Sequence, residues 1–144
     1  MDREIPQLSR TGKDVALVVD GRPFVMLAGE MHNSAASDAR TLDAAMDRAV
    51  ELGMNSVIAP VSWELVEPEE GAWDFASVDV LLAAARQRDL RLGLLWFGAW
   101  KNAACYYAPE WVKRDLDRCR RAELEPGQHK AYLDFHGMTL PYAA

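Results

Sequence analysis

At 144 residues the chain has the size of one ordinary domain, and with 50% apolar residues it can bury a core, which excludes a disordered or low-complexity protein. Its formal net charge of −6 argues against nucleic acid or an anionic membrane as partner, since basic patches hold both. The two cysteines, Cys105 and Cys119, are too few for a disulfide framework and have no histidine at ligand spacing, so no metal and no cofactor is expected.

The N-terminus, MDREIPQLSR, has no apolar core of a signal peptide, and no run approaches the length of a membrane span. No leader is visible, and the sequence leaves the localisation open. Residues 1–13 read as an N-terminal extension. From there Val15 to Val19 form a β-branched run, Asp20-Gly21-Arg22-Pro23 a turn, and Phe24 to Ala28 a second apolar run, which together predict a β-hairpin. After a loop of small polar residues, Leu42, Ala45, Met46, Ala49 and Val50 follow helical spacing, with Thr41 as the cap and Gly53 as the stop.

A short apolar run, NSVIAPVSW, is followed by an acidic segment. Val78, Leu81, Leu82 and Ala85 then share a face of a second helix, capped by Ser77 or Asp74. The run LRLGLLWF predicts a further strand, and a long loop leads to a charged segment that starts near Pro109 and can open a further helix. The Arg-rich stretch Lys113 to Arg121 is interleaved with Asp115 and Asp117 and reads as a solvated helix face rather than a phosphate site. Strands and helices alternate at a spacing near thirty residues, which implies a parallel sheet with helices outside. An open doubly wound sheet and a (β/α)8 barrel both fit. The segment AGEMHNSAAS matches neither glycine-rich nucleotide signature. Past Glu123 the pattern decays, and 123–144 read as a tail without a sustained face.

The stretch Val61 to Phe75, VSWELVEPEEGAWDF, holds five carboxylates and two tryptophans. Its Trp63, Glu67, Pro68, Gly71, Trp73, Asp74 and Phe75 resemble a segment of the catalytic barrels of retaining β-glycosidases, and most of all the β-galactosidases of glycoside hydrolase families 35 and 42. The opening DGRPFVMLAGEMHNS resembles the hairpin and first strand of those barrels, which ends in a G-x-x-H segment. The run LRLGLLWFGAWKNAACYYAPEWV resembles their third strand and the loop that closes on P-x-W. The three matches stand in order over about residues 14 to 115. The resemblance implies an α/β fold, a partial (β/α)8 barrel comprising about the first three β/α units over 14–122, and a carbohydrate substrate of the β-galactoside type.

In such a barrel the loops after the strands build the site. That puts His32, Asn33, Trp63, Trp96, Trp100, Lys101 and Asn102 on one rim as candidate substrate-binding residues, offering stacking faces and hydroxyl-directed hydrogen bonds. Each has a structural alternative. Trp63 and Trp73 can plug the barrel top, which is the preferred role for Trp73. His32 can serve a local hydrogen bond, and Tyr106 and Tyr107 can pack within their own loop. Asn102 stands where family 35 carries a glutamate that contacts sugar hydroxyls, which puts the substrate preference in question.

A retaining glycosidase needs two carboxyl groups about 5–5.5 Å apart. Glu69 and Glu70 lie in an exposed turn composition, Glu67 before Pro68 suits a structural hydrogen bond, and Asp74 suits a helix entry, so none is expected to be catalytic. The resemblance agrees: the family's acid/base follows the fourth strand in an Asn-Glu pair and its nucleophile the seventh, and the chain contains no Asn-Glu dipeptide. A barrel of this kind takes about 250 residues. The chain is therefore expected to be a truncated product or fragment without the catalytic pair, either contributing substrate subsites to a larger hydrolase or persisting as a remnant that binds sugar weakly. Open sheet edges would favour self-association in either case.

Overall fold

The computed structural model describes residues 5–36, 38–99, 107–115 and 117–119. Its first element is one that periodicity could not announce. Strand β1 (Gln7–Thr11) is exposed along its whole length, so it carries no apolar alternation, yet it pairs antiparallel with β2 (Asp14–Val19) through Leu8 opposite Leu17 and Thr11 opposite Asp14. Gly12, at φ +64°, opens the two-residue turn between them, the position a type II′ turn gives to glycine.

The expected hairpin partner of β2 is much shorter than its apolar run suggests. Asp20 and Gly21, at φ +50° and +73°, make a type I′ turn, and only β3 (Arg22–Pro23) pairs back before the ladder ends. Val25, Met26 and Leu27 belong to no strand and are exposed. One side chain fixes them instead. Asn55 donates from Nδ2 to the Val25 carbonyl (2.8 Å) and accepts the Leu27 N–H on Oδ1 (2.9 Å), while its own backbone N–H donates to the Leu27 carbonyl (3.1 Å). A side-chain amide has the donors and acceptors to stand in for a missing strand neighbour.

The second sheet is parallel, in the order β4 (Ala28–Glu30), β5 (Ser56–Ser62), β6 (Arg91–Phe97). Helix α1 (Ala39–Glu51) connects the first pair; the single turn α2 (Trp63–Val66) and helix α3 (Ala76–Gln87) connect the second. Sequence neighbours are thus sheet neighbours, each joined by a helical crossover. That is the repeating unit of a (β/α)8 barrel, and the fold is a partial one. Among the described residues β4 and β6 are each paired on one edge only.

Both crossover helices end in the same device. Beyond α1, Gly53 at φ +73° donates to the Val50 carbonyl (2.9 Å) and Met54 to the Ala49 carbonyl (3.0 Å). Beyond α3, Asp89 donates to Arg86 (3.3 Å) and Leu90 to Ala85 (3.0 Å). These are Schellman caps, and the second places an aspartate, at φ +53°, where glycine is preferred. At the start of α1 the expected cap, Thr41, is displaced by Asp38, whose carboxylate accepts the Thr41 N–H (2.9 Å). Aspartate is at least as good an N-cap as threonine, and here it leaves one further turn to the helix.

The core lies between the helices and one face of the sheet. Leu42, Met46 and Ala49 from α1 and Leu81, Ala84 and Ala85 from α3 bury against Val57, Ala59 and Val61 of β5. A fully buried Leu or Met here contributes about 1.5–3 kcal/mol over an exposed one. Val50, expected on the same stripe of α1, is exposed instead, because the stripe is narrower than the sequence spacing allows. The helices are also tied by charge: Arg88, just past α3, reaches Asp43 (2.9 Å) and Asp47 (2.7 Å) of α1 and donates to the Ala84 carbonyl (3.2 Å). On the far side, Arg91 at the start of β6 holds Asp20 of the hairpin at 2.9 Å.

Replacing Asp89 with glycine should relieve the left-handed conformation and raise stability by about 0.5–1 kcal/mol, read as a higher urea midpoint. An unchanged midpoint would mean that the aspartate already fits. Acid acts in the opposite direction. A hydrogen bond from the Thr41 hydroxyl lowers the Asp38 carboxyl, one from Arg88 lowers Asp47 and one from Arg118 lowers Glu70. A folded pKa below the unfolded one gives stability that is present above the unfolded value and is lost as pH falls through the folded one. The urea midpoint should therefore fall progressively below about pH 4.5, and Arg88→Met should make that acid limb shallower.

Candidate functional site

The parallel strands run to a common end, and the loops that leave it carry most of the residues in question. From β4 the chain passes through Met31, whose N–H extends the ladder to the Ile58 carbonyl (2.8 Å), into a turn closed by the Ala35 N–H on the His32 carbonyl (2.8 Å). His32 is exposed, and its Nδ1 lies 3.1 Å from the Ser34 hydroxyl. Asn33 is half-buried beside it. Glu30, His32 and Met31 line one end of a groove of about 390 Å3 along the unpaired edge of β4, whose other wall is the Ala45 and Ala49 side of α1. The groove is lined mostly by apolar side chains, with Glu30, His32, Thr41 and Arg48 among its polar residues.

Strand β5 delivers Trp63 to the same rim, and here a buried carboxylate organises the loop. Glu67 accepts the Trp63 indole N–H at 2.7 Å on one oxygen and the Gly71 backbone N–H at 2.9 Å on the other, and it is only 8% exposed. Its own carbonyl accepts the Trp111 indole N–H at 3.1 Å, and Trp111 meets Trp63 edge to face, with centroids 5.8 Å apart. Gly71 takes φ +76°, which turns its N–H into the carboxylate. Glu64 donates its N–H to the Tyr107 carbonyl (2.8 Å) and pairs its carboxylate with Lys113 (3.1 Å). Glu70 holds Arg118 through both oxygens at 3.0 Å. The Asp74 carboxylate accepts the Ala76 N–H (2.8 Å) at the entry of α3.

Four of the five carboxylates of this stretch are thus engaged in structure, as the residue types suggest. Helix α4 (Glu110–Arg114) opens at Pro109, where the sequence predicts a further helix; its bracing of the β5 loop is the additional finding. The P-x-W at Pro109 to Trp111 marks the end of a loop in sequence, but Trp111 turns inward to brace Trp63, and Lys113 neutralises Glu64. The only signal for it was a tryptophan in an otherwise charged segment.

The register separates one candidate from the rest. Val61 pairs with Trp96 and Ser62 with Phe97. Side chains alternate along a strand, so Trp96 shares the face of Val57, Ala59 and Val61, which the helices cover, while Phe97 stands on the opposite face with Ile58. Phe97 is buried against the Tyr107 ring (4.7 Å between centroids); Trp96 is 53% exposed on the outer side. Trp96, a candidate for the rim, thus stands at the end of β6 on the face that carries Val57, Ala59 and Val61. Trp73 is 60% exposed. Trp100, Lys101, Asn102 and Tyr106 lie outside the described residues. Among the described residues no cluster of His, Cys, Asp or Glu could hold a metal ion, and no described helix is long and apolar enough to cross a membrane.

This arrangement has relatives. The model of glycosyl hydrolases family 35 matches residues 16–105, from the hairpin through β6 into its loop. The chain belongs to that family. A beta-galactosidase of Xanthomonas manihotis is 34% identical over 70 residues, which make up 49% of this chain and 12% of that protein. The chain therefore spans a small part of the length of this relative. Among solved structures, the exo-beta-1,4-mannosidase Op5Man5 of an Opitutaceae bacterium superposes with a TM-score of 0.53 at 22% identity, over 62% of this chain and 17% of that one. That likeness concerns the fold, and it supports the partial barrel.

Removing the central carboxylate tests its structural role. Glu67→Ala leaves the Trp63 indole N–H and the Gly71 N–H without an acceptor and should cost about 2–4 kcal/mol. Glu67→Gln keeps one acceptor and should lose roughly half as much. Equal urea midpoints for wild type and Glu67→Ala would refute this assignment.

Proposed function

We propose that the chain forms the N-terminal part of the catalytic barrel of a β-galactosidase-like glycoside hydrolase that acts with retention. It supplies subsite loops and does not itself carry the acid/base or the nucleophile. The observation that carries this reading is the family match over residues 16–105, which runs through both described rim loops. His32, Asn33 and Trp63, together with Trp100, Lys101 and Asn102, are the residues proposed to meet the sugar; the register of Trp96, on the face of Val57, Ala59 and Val61, argues against including it.

The electrostatics support the non-catalytic half of the proposal. A general acid must hold a proton near neutral pH, which requires a raised pKa. Hydrogen bonding to Arg118 instead lowers the Glu70 carboxyl. Both oxygens of Glu67 already accept N–H donors, and the Glu64 carboxylate sits against the Lys113 ammonium. An attacking nucleophile needs an oxygen free to reach the anomeric carbon, and a carboxylate whose two oxygens tether a loop has none.

The purified chain should not hydrolyse a chromogenic β-galactoside above the blank rate at any pH between about 4 and 8. Turnover abolished by substitution of any one glutamate would overturn the proposal.

A further inference from the structure

The pair Trp73 and Phe75 has no role in the loop's own construction. The two rings flank Asp74 and lie nearly parallel, with 7° between planes and 6.4 Å between centroids, and they are 60% and 53% exposed. Exposing two large aromatic side chains together costs hydrophobic free energy that a soluble surface normally avoids. The backbone beneath them is held at several points. The Asp74 N–H donates to the Val66 carbonyl (2.8 Å), the Ala76 N–H to the Asp74 carboxylate (2.8 Å), and the Asp79 N–H to the Phe75 carbonyl (2.9 Å). The backbone that carries the rings is therefore ordered, and the rings meet each other.

Trp73 differs from its neighbours in a further respect. Trp63 and Trp111 both spend their indole N–H groups on Glu67, whereas Trp73 donates to no acceptor among the described residues. The tight turn that immediately precedes it, closed by the Ala72 N–H on the Glu69 carbonyl (2.9 Å), exposes the side chain of Glu69, while both Glu70 oxygens are held by Arg118. A carboxylate beside an apolar platform disfavours an apolar protein partner, which would have to strip its water, and it suits a ligand rich in hydroxyl groups.

We infer that Trp73 and Phe75 form a carbohydrate-stacking platform on the rim of the barrel, an outlying subsite for a sugar unit of a β-linked galacto-oligosaccharide. A galactose ring presents three C–H groups on one face, which pack on a flat aromatic ring, while its hydroxyls reach the indole N–H and the acidic turn. The loop that carries the platform is the one β5 sends to the rim through Trp63, so a chain whose terminal sugar lies near Trp63 would extend toward Trp73. This rests on the glycoside hydrolase reading above.

The indole N–H resonances of the five tryptophans offer a direct test on the full chain. Titration with a β-linked galactotriose should shift the Trp73 signal saturably and leave that of Trp96 in place. Trp73→Ala should weaken trisaccharide binding about tenfold, and Trp73→Leu, which keeps apolar area but no flat face, should not restore it. Trp73 is exposed, so both variants should keep the wild-type circular dichroism. A Trp63 signal that moves while Trp73 stays still would overturn the platform and leave the glycosidase reading standing. If no indole signal moves at any sugar concentration reached, both are overturned. Wild-type affinity in Trp73→Leu would also sink the stacking role.

Discussion

Glu67 ties together the end of β5, the turn at Gly71 and α4. Its oxygens take one N–H from the tryptophan at the end of β5 and one from the glycine of the following turn, and the carbonyl of the same residue takes another from Trp111. An anion removed from water is tolerated only when donors replace the lost solvation, and charge-assisted hydrogen bonds are among the stronger ones available. The arrangement fixes the angle at which the chain leaves the strand, the conformation of Gly71, and the docking of α4 through the Trp63–Trp111 contact. The positions of Trp73 and Phe75 follow from it, since they are the next residues along.

An acidic stretch among aromatic rings therefore frames a loop around Glu67. Which of its carboxylates are buried and hydrogen-bonded is something composition does not report. The likeness to retaining glycosidases is carried by residues that shape a loop: a turn glycine at 71, the Asp74 whose carboxylate accepts the Ala76 N–H ahead of α3, and the tryptophan at 63. Selection for a loop of fixed shape and selection for sugar chemistry leave similar residues behind, since both use aromatic rings and carboxylates.

The sequence made much of the scaffold legible. The helical stripes through Leu42, Met46 and Ala49 and through Leu81 and Ala85 are those that bury, and Gly53 ends its helix as its conformational freedom suggests. Three features were hidden for physical reasons. Strand β1 is exposed on both faces and so lacks a period. The Val25 to Leu27 run is apolar without being a strand, because Asn55, thirty positions away, satisfies its backbone. Trp96 and Phe97 are adjacent in sequence and occupy opposite faces of β6, and only the pairing with β5 decides which is which. A rim defined by sequence neighbourhood cannot resolve a difference of one residue.

The ion pairs of Arg88 lie at the other end of the molecule from all of this. The residue follows the last turn of α3, just before β6 begins, and grips two aspartates of α1. The helical layer is thus cross-linked on the floor of the barrel, while the loops that would meet a ligand open at its top. Substitutions in those loops leave the Arg88 contacts untouched, so the cohesion of the helical layer and the shape of the rim can change independently.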